Sequence, residues 1–527
     1  MIADYTEVPV CHVDDLADGE MKEVSVGDTD VLLVRADGQF YALHPHCAHY
    51  HAPLAKGLLN GYRLVCPWHN TCFDVRNGQR LEAPALSGLP THEVRIEDNQ
   101  VFVRLTTAQE TQDNPMSSPD EASEETYVIV GGGGAGAFAA EAMREGGFTG
   151  KILMLTSSSQ VPYDRPNCSK EYLQDEAPDE WMPLRSEEFY KNYGIEVRTG
   201  QKVTQLDPAK KSIELASGET ITYDKVLLCS GGKPNTLPGM DSELEGVYPL
   251  RSLHDSSTLR ELGKQGKRVV IIGSSFIGLE GAMSLRKLGA TVTVVGMEAV
   301  PFAKILGEKI GRVVQKWHEA EGIQFHLGRK VDHLEGDGAV SAVVLDNGER
   351  LPADFVLLGL GVKPRTNFLT DVPLEKDGGI KTDEYLRVTD DLYAAGDIVH
   401  YPVADGYQRI EHWKVAGQQG YVVGMNMAKP GEMPYREVPF FWTNQQGNRI
   451  NYIGQATQVD DIVYDGDPST DDSFLAFYVQ ANEIKAVAGL KRDQDIIAIR
   501  ELMQADRMPS VETVRKGVEW VSALKKG

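Results

Sequence analysis

Two short words of cysteine and histidine, Cys47-Ala48-His49 and Cys66-Pro67-Trp68-His69, lie sixteen residues apart and constrain the first part of this chain more than anything else in it. Two thiolates and two imidazoles at this spacing are a metal-ligand set. They suit one tetrahedral zinc ion, or a [2Fe–2S] cluster with the thiolates on one iron and the imidazoles on the other. The order of ligands argues between them. Each word mixes a cysteine with a histidine, whereas zinc fingers segregate a cysteine pair from a histidine pair. Hairpin signals at Ala36-Asp37-Gly38-Gln39 and Arg76-Asn77-Gly78-Gln79 suit a small cluster-binding β-domain. The favoured reading is the cluster, with Cys47, His49, Cys66 and His69 as its ligands. A cluster carries one electron, so the rest of the chain is expected to supply a redox partner.

Residues 1–105 resemble Rieske ferredoxins. High-potential respiratory Rieske proteins carry a further cysteine pair bridging the two ligand loops. The matching positions here are Ala52 and Trp68, and Cys72 has no evident mate. The resemblance therefore implies a ferredoxin with a potential near the low end of the Rieske range, roughly −150 mV. It also implies that His49 and His69 are exposed and form the exit toward an external acceptor.

At 527 residues the chain is too long for one core and is expected to hold three or four domains. A formal net charge of −24 argues against nucleic acid and against an anionic membrane surface as partners. Six cysteines, two of them ligands, leave four scattered thiols, which fits a reducing compartment. Met1-Ile2-Ala3-Asp4-Tyr5-Thr6-Glu7 has neither a basic region nor an apolar run, and no stretch is apolar enough to span a bilayer. The expected setting is cytoplasmic, without a membrane span.

Composition divides the chain. From 106 to 126 it turns to Gln, Glu, Asp, Ser and Pro, a linker that cannot build a core. A flexible segment of about twenty residues reaches roughly 25 Å, so the first domain is expected to swing. After it, the apolar run Tyr127-Val128-Ile129-Val130, a helix over 137–144 and a strand over 151–155 form a Rossmann-like unit. The order recurs at Arg268-Val269-Val270-Ile271-Ile272, a helix through Leu288 and a strand over 291–295. The expected fold is multidomain: an all-β Rieske domain (1–105), the linker (106–126), an FAD-binding domain (127–250 and 376–435), an NAD-binding domain (251–375) and an α+β interface domain (436–527).

Gly131-Gly132-Gly133-Gly134-Ala135-Gly136 places a G-x-G-x-x-G word between strand and helix. Gly131, Gly133 and Gly136 would permit the tight turn and the approach of a pyrophosphate to the helix N-terminus. No acidic residue ends the next strand, so Thr156 or Ser157 would have to meet the ribose. In the second unit, Gly273-Ser274-Ser275-Phe276-Ile277-Gly278 repeats the word with Ser275 in place of the central glycine. Its strand runs on to Glu298, and no Arg or Lys falls at 296–300 to welcome a 2′-phosphate, so NADH is favoured over NADPH.

Further words resemble the two-dinucleotide flavoprotein reductases, in particular oxygenase-type ferredoxin reductases and apoptosis-inducing-factor-like proteins. By that resemblance Gly396-Asp397 binds the flavin's ribityl chain, Arg165 and Pro166 line the cofactor, and Lys170 lies beside the hydride-accepting nitrogen. Glu280 would approach flavin and nicotinamide, which suggests a Lys170–Glu280 ion pair. Gly231 and Gly361 mark paired hinges between the cofactor domains. Glu411-His412-Trp413 and the segment around Trp442 would flank the flavin ring, with both tryptophans as candidates for stacking and electron gating. Core packing serves either tryptophan almost as well. A close cysteine pair of the disulfide-reductase kind is missing, and Cys168 and Cys229 stand alone.

Together these readings describe an FAD-dependent NAD(P)H oxidoreductase that passes electrons from NADH through FAD to its own cluster. From there they would pass to a protein acceptor such as a terminal oxygenase. An NADH-responsive interaction protein and a stand-alone NADH oxidase or quinone reductase are the alternatives. The chain is not expected to be an oxygenase itself, and a homodimer is left open.

Overall fold

Strand Thr29–Ala36 is buried on both faces, and its alternation splits the first domain's core in two. Val31 and Leu33 pack with Val101 and Val103, while Leu32, Val34 and Ala36 face Leu54, Leu64 and Cys66. The strand belongs to a six-stranded antiparallel sheet, and beside it Leu58–Asn60, Arg63–Val65, Cys72–Asp74 and Arg80–Glu82 form a four-stranded one. The computed structural model describes residues 7–120, 122–237, 244–431 and 433–526. Residues 1–6, on which most of the leader reading rests, lie outside them.

Two parallel sheets follow. In the first, Ile195–Arg198, Lys151–Leu155, Thr126–Val130, Lys225–Leu228 and Leu392–Ala394 run parallel, with Arg387–Thr389 as an antiparallel edge. In the second, Val247–Pro249, Phe355–Leu358, Arg268–Ile272, Thr291–Gly296 and Gln324–Leu327 are all parallel. Helices Gly134–Glu145 and Phe276–Lys287 follow the respective central strands. Strands covered on both faces explain why Val128–Val130 and Val269–Ile272 read as unbroken apolar runs. Strands Gly232–Pro234 and Val362–Pro364 pair antiparallel where the chain crosses between the sheets, directly after Gly231 and Gly361, whose φ values are 67° and 74°. The last unit is a five-stranded antiparallel sheet, Phe440–Gln445 to Glu483–Leu490, packed by helix Asp493–Gln504. The chain is therefore multidomain, all-β first, then two α/β units, then α+β.

In this structure the first domain is docked, where the composition of 106–126 led to the expectation of a swinging one. Leu58, Val65 and Cys72 share one apolar cluster with Phe440, Ile453, Ile497 and Trp520 of the last unit. Above it Arg500, 1% exposed, reaches Glu82 at 2.6 Å and Glu437 at 2.9 Å, and Lys414, fully buried, lies 3.2 Å from Glu82. The segment over 106–126 is pinned on both sides. Gly88 and Gln112 exchange backbone hydrogen bonds at 2.6 and 3.2 Å. Asn114 bonds Arg80 and Glu145, and the N–H groups of Ser117 and Asp120 donate to the carbonyls of Arg144 and Thr149. Polar composition denies this segment a core of its own, but it does not prevent its amides from bonding to two neighbours.

Candidate functional site

The two ligand loops share one backbone design. The Cys47 N–H donates to Ala52 O and the Cys66 N–H to Thr71 O, five residues on in each case. The carbonyls of Cys47 and Cys66 accept from His51 and Asn70, four residues on, and these two residues are left-handed at φ 54° and 55°. Each turn aims N–H groups back at its own sulfur, those of His49 and Tyr50 at Cys47 and those of Trp68 and His69 at Cys66. The two thiols lie near enough to influence each other, and the histidine Nδ1 atoms approach to 3.0 Å although one word is a residue longer. Burial raises Cys47 well above the usual thiol range, whereas at Cys66 the same burial is outweighed by hydrogen bonds from Cys47 and from the N–H groups of Trp68 and His69, which hold it below that range. Burial also lowers His49 to about 3 and His69 well below the ordinary imidazole value, which keeps both neutral, as metal ligation requires. Among the described residues no three His, Cys, Asp or Glu side chains surround a single point. The donors stand sulfur with sulfur and nitrogen with nitrogen, a set that fits two irons with a pair on each.

The histidine edge faces inward, contrary to the exposed exit expected from sequence. His69 is 5% exposed, and its ring lies 4.2 Å from that of Trp442. His49 stacks on Tyr50 at 4.0 Å and 10°, and the Tyr50 hydroxyl donates to the buried carboxylate of Asp164. Lys414 closes the second loop from below by donating to Asn70 O. An isolated β-domain would present these imidazoles to solvent; docking on Trp442 and Asp164 covers them.

On the dinucleotide side, a Cβ on Gly131 would stand 2.2 Å from Cys229 O, and one on Gly136 2.1 Å from Gly131 O, so both positions need glycine. Gly133 meets nothing closer than Arg165 at 3.9 Å. It is the N-cap of a helix without a side-chain cap, an open end suited to a pyrophosphate. Thr156 packs on Gly132, whereas Ser157 is exposed beyond the strand end. Trp413 lies over Gly134, about 3.0 Å from where a Cβ would sit. Asp397 pairs with Arg251 at 2.6 Å, and Gly396 (φ 79°) donates to Gln419. Pro166 opens the short helix Pro166–Ser169, and Arg165 donates to Arg251 O at 3.0 Å. Glu411 pairs with Arg409, and burial lowers His412 to about 4. Two buried polar nitrogens in this region, Arg251 Nε and His412 Nδ1, have no protein partner among the described residues. Such groups fit a polar cofactor like FAD.

The expected ion pair is present. Lys170 Nζ stands 2.8 Å from Glu280 Oε2, both side chains at most 10% exposed. Ser169 donates to the same oxygen at 2.6 Å and Thr443 to Oε1 at 2.8 Å. The pair joins both parallel-sheet units to the last sheet. Thr443 and Asp164 fall in words that resemble flavin-flanking segments but had no role of their own, and nothing in the local sequence marked Arg251, Tyr50 or Lys414, because each meets its partner in another unit.

At the second glycine turn, a Cβ on Gly273 would meet Gly359 O at 2.3 Å, and one on Gly278 would meet Gly273 O at 2.2 Å. Ser275 is the helix N-cap: it accepts from the Gly278 N–H and donates to Gly359 O. Its hydroxyl is thus occupied internally. Exposed Ile277 and Met297 lie just past the carboxyl ends of the strands, where such folds bind a dinucleotide. Glu298 is held by Lys304 at 2.7 Å, a cation outside the 296–300 window.

Two dinucleotide folds joined at a buried Lys–Glu pair, with an iron–sulfur donor set docked against them, define a flavin-dependent nicotinamide reductase with a built-in electron carrier. The family described as pyridine nucleotide-disulphide oxidoreductase matches residues 125–420, the Rieske [2Fe-2S] domain residues 6–93, and the reductase C-terminal domain residues 440–517. The chain belongs to the pyridine nucleotide-disulphide oxidoreductase family. It is 35% identical to apoptosis-inducing factor 3 of Homo sapiens over 96% of this chain and 85% of that one. Identity is 32% to the 3-phenylpropionate/cinnamic acid dioxygenase ferredoxin–NAD(+) reductase component of Photorhabdus laumondii, over 75% of this chain and 99% of that one. Among solved structures, the covalent putidaredoxin reductase–putidaredoxin complex superposes with a TM-score of 0.72 at 26% identity, covering 77% of this chain and 99% of that one. The chain is thus an FAD-dependent NAD(P)H oxidoreductase of ferredoxin-reductase type that reduces its own Rieske [2Fe–2S] cluster. Among the described residues no helix is long and apolar enough to cross a membrane.

Proposed function

We propose that this reductase takes electrons from NADH, delivers them through Trp442 to a cluster docked in place, and serves an external protein acceptor such as a terminal oxygenase. One observation carries the internal route. Trp442 and Thr443 are neighbours on strand Phe440–Gln445, with Trp442 against the cluster ligand His69 and Thr443 bonded to Glu280. Bound FAD supplies hydride acceptance, and the cluster supplies one-electron carriage. Gly131, Gly133 and Gly136 would receive the FAD pyrophosphate, Asp397 the ribityl chain, and Lys170 with Glu280 would flank the ring. Glu298 beyond the second strand favours the 2′-hydroxyl of NADH over a 2′-phosphate.

A protein acceptor is supported by the relatives, one a dioxygenase reductase component and another seen in covalent complex with putidaredoxin. With the histidine edge covered, that acceptor would approach the rim of the ligand loops, where the His51 side chain is 61% exposed and Ala48 and Trp68 are half-buried. A redox-driven undocking is disfavoured by the buried ion pairs of Glu82. The test is anaerobic titration with NADH and then NADPH, following flavin absorbance and the cluster EPR signal together. Flavin bleaching that precedes a stoichiometric cluster signal supports the route; bleaching with no cluster signal rejects it.

A further inference from the structure

Glu280 accepts hydrogen bonds that arrive through a chain of side chains beyond the residues named above. Helix Glu308–Ala320 carries His318, which is fully buried, behind the strand Phe440–Gln445. His318 Nε2 lies 2.8 Å from Gln445 Oε1, and Gln446 Nε2 lies 3.1 Å from His318 Nδ1. An amide oxygen can only accept and an amide nitrogen can only donate, so the imidazole carries its proton on Nε2. Gln445 Nε2 then donates to Thr443 Oγ1 at 2.7 Å, and Thr443 Oγ1 donates to Glu280 Oε1 at 2.8 Å. Every donor from Gln446 to Glu280 points the same way. Reversing the Gln445 amide would set two donors against each other at His318 and would draw the Thr443 hydroxyl away from Glu280.

We infer that His318, Gln445 and Thr443 are positioning residues, an oriented dipole chain that fixes the Glu280 carboxylate and, through it, the Lys170 ammonium. The inference rests on the reading that Lys170 and Glu280 flank the flavin. The chain does not conduct protons, because a carboxamide does not take up and release a proton as an imidazole or a hydroxyl does. Its effect is geometric. One Glu280 oxygen is engaged by Lys170 and Ser169 and the other by Thr443, so the carboxylate cannot rotate about its own axis without breaking a bond. The donors come from two units of the fold and Glu280 from a third, so the geometry exists only when those units are assembled.

Three variants test this. Thr443→Val removes the donor at nearly constant volume, and Thr443→Ser restores it. Gln445→Glu keeps the shape but presents acceptors to both neighbours, so Thr443 turns toward position 445. Expected by stopped flow is a flavin-reduction rate at saturating NADH lower by about tenfold in T443V and Q445E, and within about twofold of wild type in T443S. NADH Kd should change by less than about twofold in all three, since the chain touches no nucleotide-binding turn. Selective ¹⁵N-histidine spectra give an independent readout, in which His318 is the Nε2–H tautomer in the wild-type protein. A wild-type rate in T443V, or an Nδ1–H tautomer at His318, overturns the chain. If Glu280→Gln also leaves flavin reduction unchanged, the placement of the pair at the flavin fails instead.

Discussion

The indole of Trp442 lies against the imidazole of His69 with ring centroids 4.2 Å apart and planes tilted by 43°. Trp442 also meets His49 edge-on at 6.5 Å. One side chain of the reductase thus meets both candidate histidine ligands of the first domain, while its neighbour Thr443 bonds Glu280 on the opposite face of the same strand. Alternation along a β-strand is what lets consecutive residues serve two cofactor sites.

Replacing Trp442 with leucine should separate the two reduction events. Flavin bleaching by NADH should proceed as in the wild type, because Trp442 lies on the opposite strand face from Thr443, which bonds Glu280. The cluster EPR signal should then rise several-fold more slowly, and Trp442→Phe, which keeps a ring against His69, should fall between. Rapid-freeze EPR against stopped-flow absorbance measures both. A cluster signal in W442L that keeps pace with the wild type would show that electrons take another path.

Arg500→Met should loosen the docked domain. The guanidinium is 1% exposed and bonded to Glu82 and Glu437, so its removal leaves the buried carboxylate of Glu82 and the half-buried one of Glu437 short of a cation. Breaking one side of such a buried network costs about 3–5 kcal/mol. Hydrogen exchange should quicken in Arg80–Glu82 and in the helix Asp493–Gln504, with the Thr29–Ala36 strand spared. Uniform loss of protection throughout the chain would mean that Arg500 holds the whole fold and not this interface.

How much of this was legible in advance follows from how far apart in the chain the partners lie. Each half of the Lys170–Glu280 pair sits in a word with its own local signature, and the resemblance of those words to one family brought them together. The four candidate ligands, Cys47, His49, Cys66 and His69, likewise sit in words with their own local signature, which the fold brings side by side. The inward face of His69 was not legible, because it depends on docking against a strand more than 370 residues later. Arg251, Thr443 and Lys414 are ordinary residues in their own elements and become functional candidates only through partners in another unit. The segment over 106–126 misled in the opposite sense. Its composition excludes a core, which is correct, but the free motion inferred from that is cancelled by Asn114, Ser117 and Asp120 bonding to residues on both sides.

Acid should weaken the protein partly through His318. Burial lowers its folded pKa to about 4, with Gln445 opposing the shift, against about 6.5 for an unfolded imidazole. The unfolded chain therefore binds a proton between these values that the folded chain does not. The contribution of the neutral buried ring is complete above pH 6.5 and is lost as pH falls toward 4, by up to roughly 3 kcal/mol. His318→Gln, which has no such proton to bind, should flatten the fall in Tm between pH 7 and pH 5 relative to wild type. Parallel curves for the two proteins would assign the acid sensitivity to other groups.

Nicotinamide preference should turn on Glu298 and Lys304. They stand 2.7 Å apart beyond the strand Thr291–Gly296, the position from which Rossmann units address the adenosine ribose. Glu298 offers acceptors to a 2′-hydroxyl and neutralises the lysine, so a 2′-phosphate meets a carboxylate first. Glu298→Ser removes that repulsion and frees Lys304, whose side chain is 81% exposed and able to reorient toward the phosphate. The ratio of kcat/KM for NADH to that for NADPH should fall by roughly tenfold, the scale of one unit-charge interaction at a partly exposed site. Lys304→Met in the same background should restore most of the original ratio, since the freed cation is the new source of NADPH binding. Steady-state kinetics with both nucleotides at low ionic strength measures this. A ratio unmoved by Glu298→Ser would place the ribose elsewhere, and one that falls but ignores Lys304→Met would leave the repulsion by Glu298 as the whole effect.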